Sequence, residues 1–120
     1  MVADALDRLH DRYPGCETLA FADLSTNMVL ITNSNTTFRR EGLDSLCSEA
    51  ALAFGTDGTR TIGDAAAMTA FVATRDQLRI YIRDAREPHD ALCCVCSHEV
   101  AVDSFLKDAR ACLHEISNGA

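Results

Sequence analysis

The chain has 120 residues, 48% of them hydrophobic, which is enough apolar material for one domain with a single core and excludes a disordered chain. Eleven basic and eighteen acidic residues give a formal charge of -7, a field that opposes non-specific binding to nucleic acid or to an anionic membrane surface. No stretch reaches the roughly 18–20 continuous apolar residues of a membrane helix, and Met1 to Arg8 lacks the basic-then-apolar layout of a secretory signal. The expectation is a single cytoplasmic domain over residues 1–120 without a nucleic-acid or membrane partner. Its six cysteines (Cys16, Cys47, Cys93, Cys94, Cys96, Cys112) are expected as free thiols.

In chain order, Val2, Leu6, Leu9 and Tyr13 recur at spacings of four, three and four with charged residues between them, the pattern of a one-sided helix that ends at Pro14-Gly15. Thr18 to Ala22 and Met28 to Thr32 are mostly apolar, and Asp23-Leu24-Ser25-Thr26-Asn27 between them is turn-forming, so they predict an antiparallel hairpin. Asn33 to Thr37 is a polar loop. Leu43, Leu46, Cys47, Ala50 and Phe54 then repeat at helical spacing over Glu41 to Phe54, with Gly55 placed to cap the helix C-terminus. Thr56 to Arg60 reads as loop without a phosphate-binding glycine pattern.

Met68 to Thr74, Gln77 to Arg83 and Ala91 to Ser97 read as strands whose short connections favour an antiparallel meander. Val102, Phe105, Leu106, Ala109, Cys112, Leu113 and Ile116 carry the stripe of a closing helix. The chain therefore predicts an α+β fold in the order α-β-β-α-β-β-β-α: a central five-stranded antiparallel sheet, hairpin plus three-stranded meander, with helices on both faces.

That order, together with Tyr13-Pro14-Gly15-Cys16-Glu17-Thr18-Leu19-Ala20-Phe21 and Asp90-Ala91-Leu92-Cys93-Cys94-Val95-Cys96 running into the last helix, resembles the roadblock/dynein light-chain family and its bacterial relatives over nearly the whole chain. Where that family often has Asp-Gly in its first hairpin turn, this chain has the longer Asp23 to Asn27. Profilin-like, longin and PAS-type domains share parts of the layout. The resemblance implies a non-catalytic homodimeric module that scaffolds or regulates a signalling partner, often a small Ras-like GTPase, with no cofactor. A small-molecule sensor of PAS or profilin-like type is the alternative, and would hold its ligand between sheet and helix.

The resemblance places dimerisation on the third strand and middle helix, here Met68, Ala70, Phe71 and Val72 with Leu46, Ala50 and Ala53. Met68 to Thr74 carries no charge before Arg75, so as an edge strand it lacks the usual protection against pairing. The helix alanines either approach a symmetry mate or simply pack on the sheet. On the fourth strand, Arg79, Tyr81 and Arg83 alternate with Leu78, Ile80 and Ile82, and this polar face could receive an acidic partner loop or a phosphate. The alternative is ion pairing within the chain, to Asp44 or Glu49.

No residues form a local catalytic signature. Cys93 and Cys96 make a CxxC, but on a strand they point to opposite faces and cannot chelate one ion together. His10, His89, His98 and His114 are scattered. Enzymatic activity is not expected.

Overall fold

The computed structural model describes residues 2–34, 36, 38–54, 68–84 and 86–119. Its elements are α1 (Val2–Arg12), β1 (Cys16–Asp23), β2 (Met28–Thr32), α2 (Arg40–Phe54), β3 (Thr69–Ala73), β4 (Leu78–Arg83), β5 (Asp90–Cys96) and α3 (Val102–Gly119). Every element predicted from periodicity is present, with bounds shifted by one or two residues. The Gly55 cap and the Thr56 to Arg60 loop lie outside the described residues.

The strands form one antiparallel sheet in the order β2-β1-β5-β4-β3, so the hairpin and the meander meet where β1 pairs with β5. Strand alternation sends successive side chains to opposite faces, and each face is closed by its own helix layer. On one face Leu19, Ile80, Ile82, Leu92 and Cys94 pack beneath Leu6 and Leu9 of α1 and Phe105, Ala109 and Leu113 of α3. On the other, Ala20, Ala22, Tyr81, Cys93 and Val95 pack beneath Leu43, Leu46, Cys47, Ala50 and Phe54 of α2. Each large apolar side chain so buried contributes roughly 1.5–3 kcal/mol relative to exposure.

Tyr13 ties the two terminal helices together, stacking edge-on against Phe105 at 5.2 Å and donating its hydroxyl to Asp108 at 2.5 Å. At the far end Ser117 of α3 donates to Asp90 at 2.8 Å, beside Asp84, which accepts the backbone N–H of Glu87 and shapes the β4–β5 turn. In the first hairpin turn Asn27 takes the left-handed conformation at φ 57°, a role suited to asparagine and the one the absent glycine would otherwise fill.

One sequence expectation is corrected by the topology. Cys16 and Cys96 are not free thiols but a disulfide, because the β1–β5 pairing sets the first residue of β1 opposite the last residue of β5 across a sequence separation of 80. Cys47, Cys93, Cys94 and Cys112 are free. Burial raises their thiol pKa values, that of Cys112 to about 11, so all four stay protonated and unreactive at neutral pH.

Candidate functional site

The two edges of the sheet are β2 and β3. β3 pairs with β4 in regular register from Thr69↔Ile82 to Ala73↔Leu78. Just outside the strand, Met68 C=O accepts from Arg83 N–H and Thr74 N–H donates to Gln77 C=O. In an antiparallel ladder the inward and outward residues alternate, so Met68, Ala70, Val72 and Thr74 turn their backbone groups toward β4. Thr69, Phe71 and Ala73 turn theirs outward, and among the described residues no strand lies beyond them.

Side chains along β3 alternate between the two faces of the sheet. Ala70 and Val72 face α2 and are half-buried against its core, while Phe71 lies on the other face and is 50% exposed. Thr69 on that face accepts a hydrogen bond from Arg110 of α3 at 2.7 Å. On α2, Leu46 and Ala50 point into the chain's own core and are fully covered there, so they are packing residues rather than open surface. Ala53 is exposed beside Leu52, which is 74% exposed. Sequence reasoning passed over Leu52, although it stands off the stripe of Leu43, Leu46, Cys47, Ala50 and Phe54 and so signals an apolar residue without a core position.

The face of β4 carrying Arg79, Tyr81 and Arg83 is covered by α2, and all three have partners inside the chain. Arg79 Nη1 donates to both oxygens of Glu49 at 3.2 Å, and the Tyr81 hydroxyl donates to Glu49 through a short hydrogen bond. Arg83 is buried, with its guanidinium 4.6 Å from the centre of the Phe54 ring. Burial, then the hydrogen bond to Glu49, raises the Tyr81 pKa, so the ring stays protonated and donates. The group fastens α2 to the sheet directly behind β3, since Arg79 pairs with Val72 and Tyr81 with Ala70. Of the two intramolecular partners weighed from sequence, Glu49 is the one used; Asp44 pairs instead with Arg40.

Two clefts are lined by described residues alone. One, of about 150 Å³, lies between α1 and α3 and is lined by Arg8, Arg12, Asp108, Cys112 and Glu115. The other, of about 180 Å³, opens at the end of the sheet among Gly15, Glu17, Asp76, Gln77, Cys96 and Ser97. Both are below the roughly 300 Å³ at which small-molecule sites begin. His98 is exposed, with Nε2 2.7 Å from the Thr74 carbonyl. Among the described residues no three Cys, His, Asp or Glu side chains converge for a metal ion, and no helix is long and apolar enough to cross a membrane.

No protein-family model and no curated protein sequence matches the chain. Solved structures do. A roadblock/LC7 domain from Streptomyces avermitilis superposes with a TM-score of 0.79 at 10% identity, covering 96% of this chain and 93% of that one. The gliding protein MglB from Thermus thermophilus gives 0.76 at 15% identity, with 99% and 90% covered. Myxococcus xanthus MglB gives 0.73 at 12% identity, with 97% and 91% covered. At these identities the likeness is one of architecture, and it extends over the whole sheet and all three helices: the chain has the roadblock/LC7 fold.

Proposed function

We propose that this chain is a non-catalytic interaction module that pairs two-fold through the outer edge of β3 and the exposed side of α2, and presents the resulting surface to a signalling partner. The observation that carries the proposal is the β3 edge itself: regular, uncharged, with three residues turning backbone donors and acceptors outward, and with Leu52 and Ala53 exposed on the helix that lies over it. A strand of that kind is completed by a second strand. A second copy supplies one by symmetry, joining two five-stranded sheets into one of ten strands. Apolar side chains on α2 then meet their mates across the axis. The partner class follows from the architectural likeness to MglB, a gliding protein, and from the roadblock resemblance, which implies a small Ras-like GTPase.

Solution mass by light scattering over at least a tenfold concentration range tests the pairing. A particle of twice the chain mass is expected, and a single-chain particle at every concentration overturns it. Adding a purified Ras-like GTPase, loaded in turn with GDP and a non-hydrolysable GTP analogue, tests the partner. A mass increase in one nucleotide state is expected; none in either state removes the GTPase from the reading.

A further inference from the structure

We propose that Phe71 is the centre of the paired edge: the two-fold axis passes beside it, so that Phe71 lies opposite Phe71 of the second copy, Thr69 opposite its Ala73, and Ala70 opposite its Val72. This register rests on the β3 pairing proposed above, and goes beyond it by naming the residue that fixes how one copy fits the other. The backbone narrows the choice first. In an antiparallel pair, two residues exchange hydrogen bonds only when both turn their backbone groups toward each other. On β3 those residues are Thr69, Phe71 and Ala73, because Met68 and Thr74 bond to the β4 side. A slip that sets any of the three opposite Ala70 or Val72 therefore makes no bonds.

The axis can still stand at any residue of β3, and the choices differ in how much of the strand they use. With the axis at Phe71 all three outward residues are engaged: Thr69 with Ala73, Phe71 with Phe71, and Ala73 with Thr69. Moving the axis to Ala70 or Val72 leaves two such pairs within β3, and moving it to Thr69 or Ala73 leaves one. Each pair carries two hydrogen bonds, so the Phe71 register makes six where its nearest rivals make four.

Side chains select the same register. Directly opposite residues share a face of the sheet, with Cβ atoms about 4.5–5.5 Å apart. With the axis at Phe71, the two half-exposed rings lie side by side on the α1–α3 face, where each covers part of the other. Thr69, whose hydroxyl is held by Arg110 at 2.7 Å, then meets only the methyl group of Ala73. On the α2 face Ala70 meets Val72, a small side chain against a branched one, and both already pack toward α2. With the axis at Ala70, the Phe71 ring of one copy is set directly against the Thr69–Arg110 contact of the other. With the axis at Val72, Arg75 of the second copy comes up to Thr69, where Arg110 already stands, and two guanidinium groups crowd one position.

The test uses the whole chain with one added cysteine at a time, Phe71→Cys, Ala70→Cys or Val72→Cys, treated with copper-phenanthroline and run on a denaturing gel without reductant. Opposite residues of a hydrogen-bonded pair stand about 5.5 Å apart at Cα, within disulfide reach. In this register Ala70 and its own copy stand diagonally, about 7–8 Å apart, as do Val72 and its copy, beyond that reach. Phe71→Cys is therefore expected to link into a species of twice the chain mass, while Ala70→Cys and Val72→Cys each stay single. A mixture of Ala70→Cys and Val72→Cys should link, and because it keeps Phe71 it reads the register even where Phe71→Cys weakens pairing. The unmodified chain with its own thiols is the reference and should not link. Linking of Ala70→Cys or Val72→Cys alone, with the mass still doubled in light scattering, overturns the register and leaves the pairing. A single-chain particle, or a doubled mass with no link in any variant or in the mixture, overturns both.

Discussion

The sheet has two edges built to opposite specifications. At β2 the ladder is interrupted: Ala22 pairs with Val29 and Phe21 with Ile31, so Leu30 is an extra residue bulged out of register. The bulge moves Val29 onto the α2 side and Ile31 onto the α1–α3 side, although two residues apart they would ordinarily share a face. Arg40 at the start of α2 then donates Nη1 to the Val29 carbonyl at 3.2 Å, occupying an acceptor on that strand. Bulges and charged side chains are the usual means by which an edge is closed to other chains. β3 has no bulge and no charged residue of its own: its register is unbroken, its residues are Thr, Ala, Phe, Val and Ala, and Arg110 of α3 reaches only the Thr69 side chain, not its backbone acceptors. Exposed apolar side chains occur at both edges, Met28 and Leu30 on one and Phe71 on the other, so hydrophobicity does not distinguish them. Backbone regularity does, and it is the ground on which pairing is proposed at β3 rather than at β2.

The sharpest way to break this comparison is a proline on each edge. At Phe71 it removes an outward N–H without touching a β3–β4 hydrogen bond; at Leu30 it falls on the bulge, where proline is tolerated. Phe71→Pro is expected to weaken self-association by about 100-fold or more, roughly 2.7 kcal/mol, and Leu30→Pro to leave the solution mass unchanged. Light scattering on the two variants decides. The reverse outcome would assign pairing to β2.

Next in size is the fastening behind β3. Glu49→Ala leaves the buried Tyr81 hydroxyl without its acceptor and takes from Arg79 its carboxylate partner, leaving it Gln77 and solvent, and should cost about 2 kcal/mol in urea unfolding, seen as a lower midpoint with an unchanged slope. Tyr81→Phe removes one donor and leaves Glu49 to Arg79, so a smaller loss of about 1 kcal/mol is expected. If α2 must be seated for the edge to pair, Glu49→Ala also lowers the dimer fraction; dimerisation undiminished in a folded Glu49→Ala protein would separate the edge from the helix.

Arg40→Ala sharpens the comparison from the other side. Its pair with Asp44, 3.6 Å and well exposed, contributes little, so the loss is the bond to Val29, about 0.5–1 kcal/mol. Amide exchange should quicken over Met28 to Thr32 while the mass stays the same, because the bulge remains. A mass that climbs with concentration would show that Arg40 alone closes this edge.

These contrasts were only partly legible in the sequence. All eight elements follow from spacing and turn residues, and the alternation of β4 correctly divides Leu78, Ile80 and Ile82 from Arg79, Tyr81 and Arg83. What alternation does not specify is which helix lies over which face, so the arginine–tyrosine face could be read as open when α2 in fact covers it. The bulge was hidden because Met28-Val29-Leu30-Ile31 is apolar throughout and offers no polar residue whose position would reveal a slip. The disulfide was hidden for a different reason: β1 and β5 are neighbours only after hairpin and meander have joined, and no local pattern connects residues 80 positions apart. Leu52 was the readable residue that went unread, since an off-stripe leucine is visible in the helical spacing.

The smallest expected effect concerns protons, and it too separates the edges. Both ends of β2 are held by carboxylates. Asp7 of α1 accepts from the Ser34 hydroxyl and backbone N–H, each at 2.7 Å, just after the strand, and Asp23 accepts from the Ser25 hydroxyl at 2.6 Å and N–H at 2.9 Å just before it. Those bonds, the hydroxyl bond foremost in each case, hold both carboxyls below the ordinary aspartate value of 3.8. A depressed folded-state pKa gives stabilisation that is complete above the unfolded value and is lost as pH falls through the folded one. Acidification from about pH 6 toward pH 3 and below should therefore loosen the flanks of β2, with faster amide exchange at Ser25 and Ser34 relative to the intrinsic rate at each pH. The β3 ladder contains no carboxylate and should show no comparable response. Asp7→Asn should remove the pH dependence at Ser34 and leave that at Ser25 intact; equal acid sensitivity of β2 and β3 would mean that these carboxylates are not what secures the closed edge.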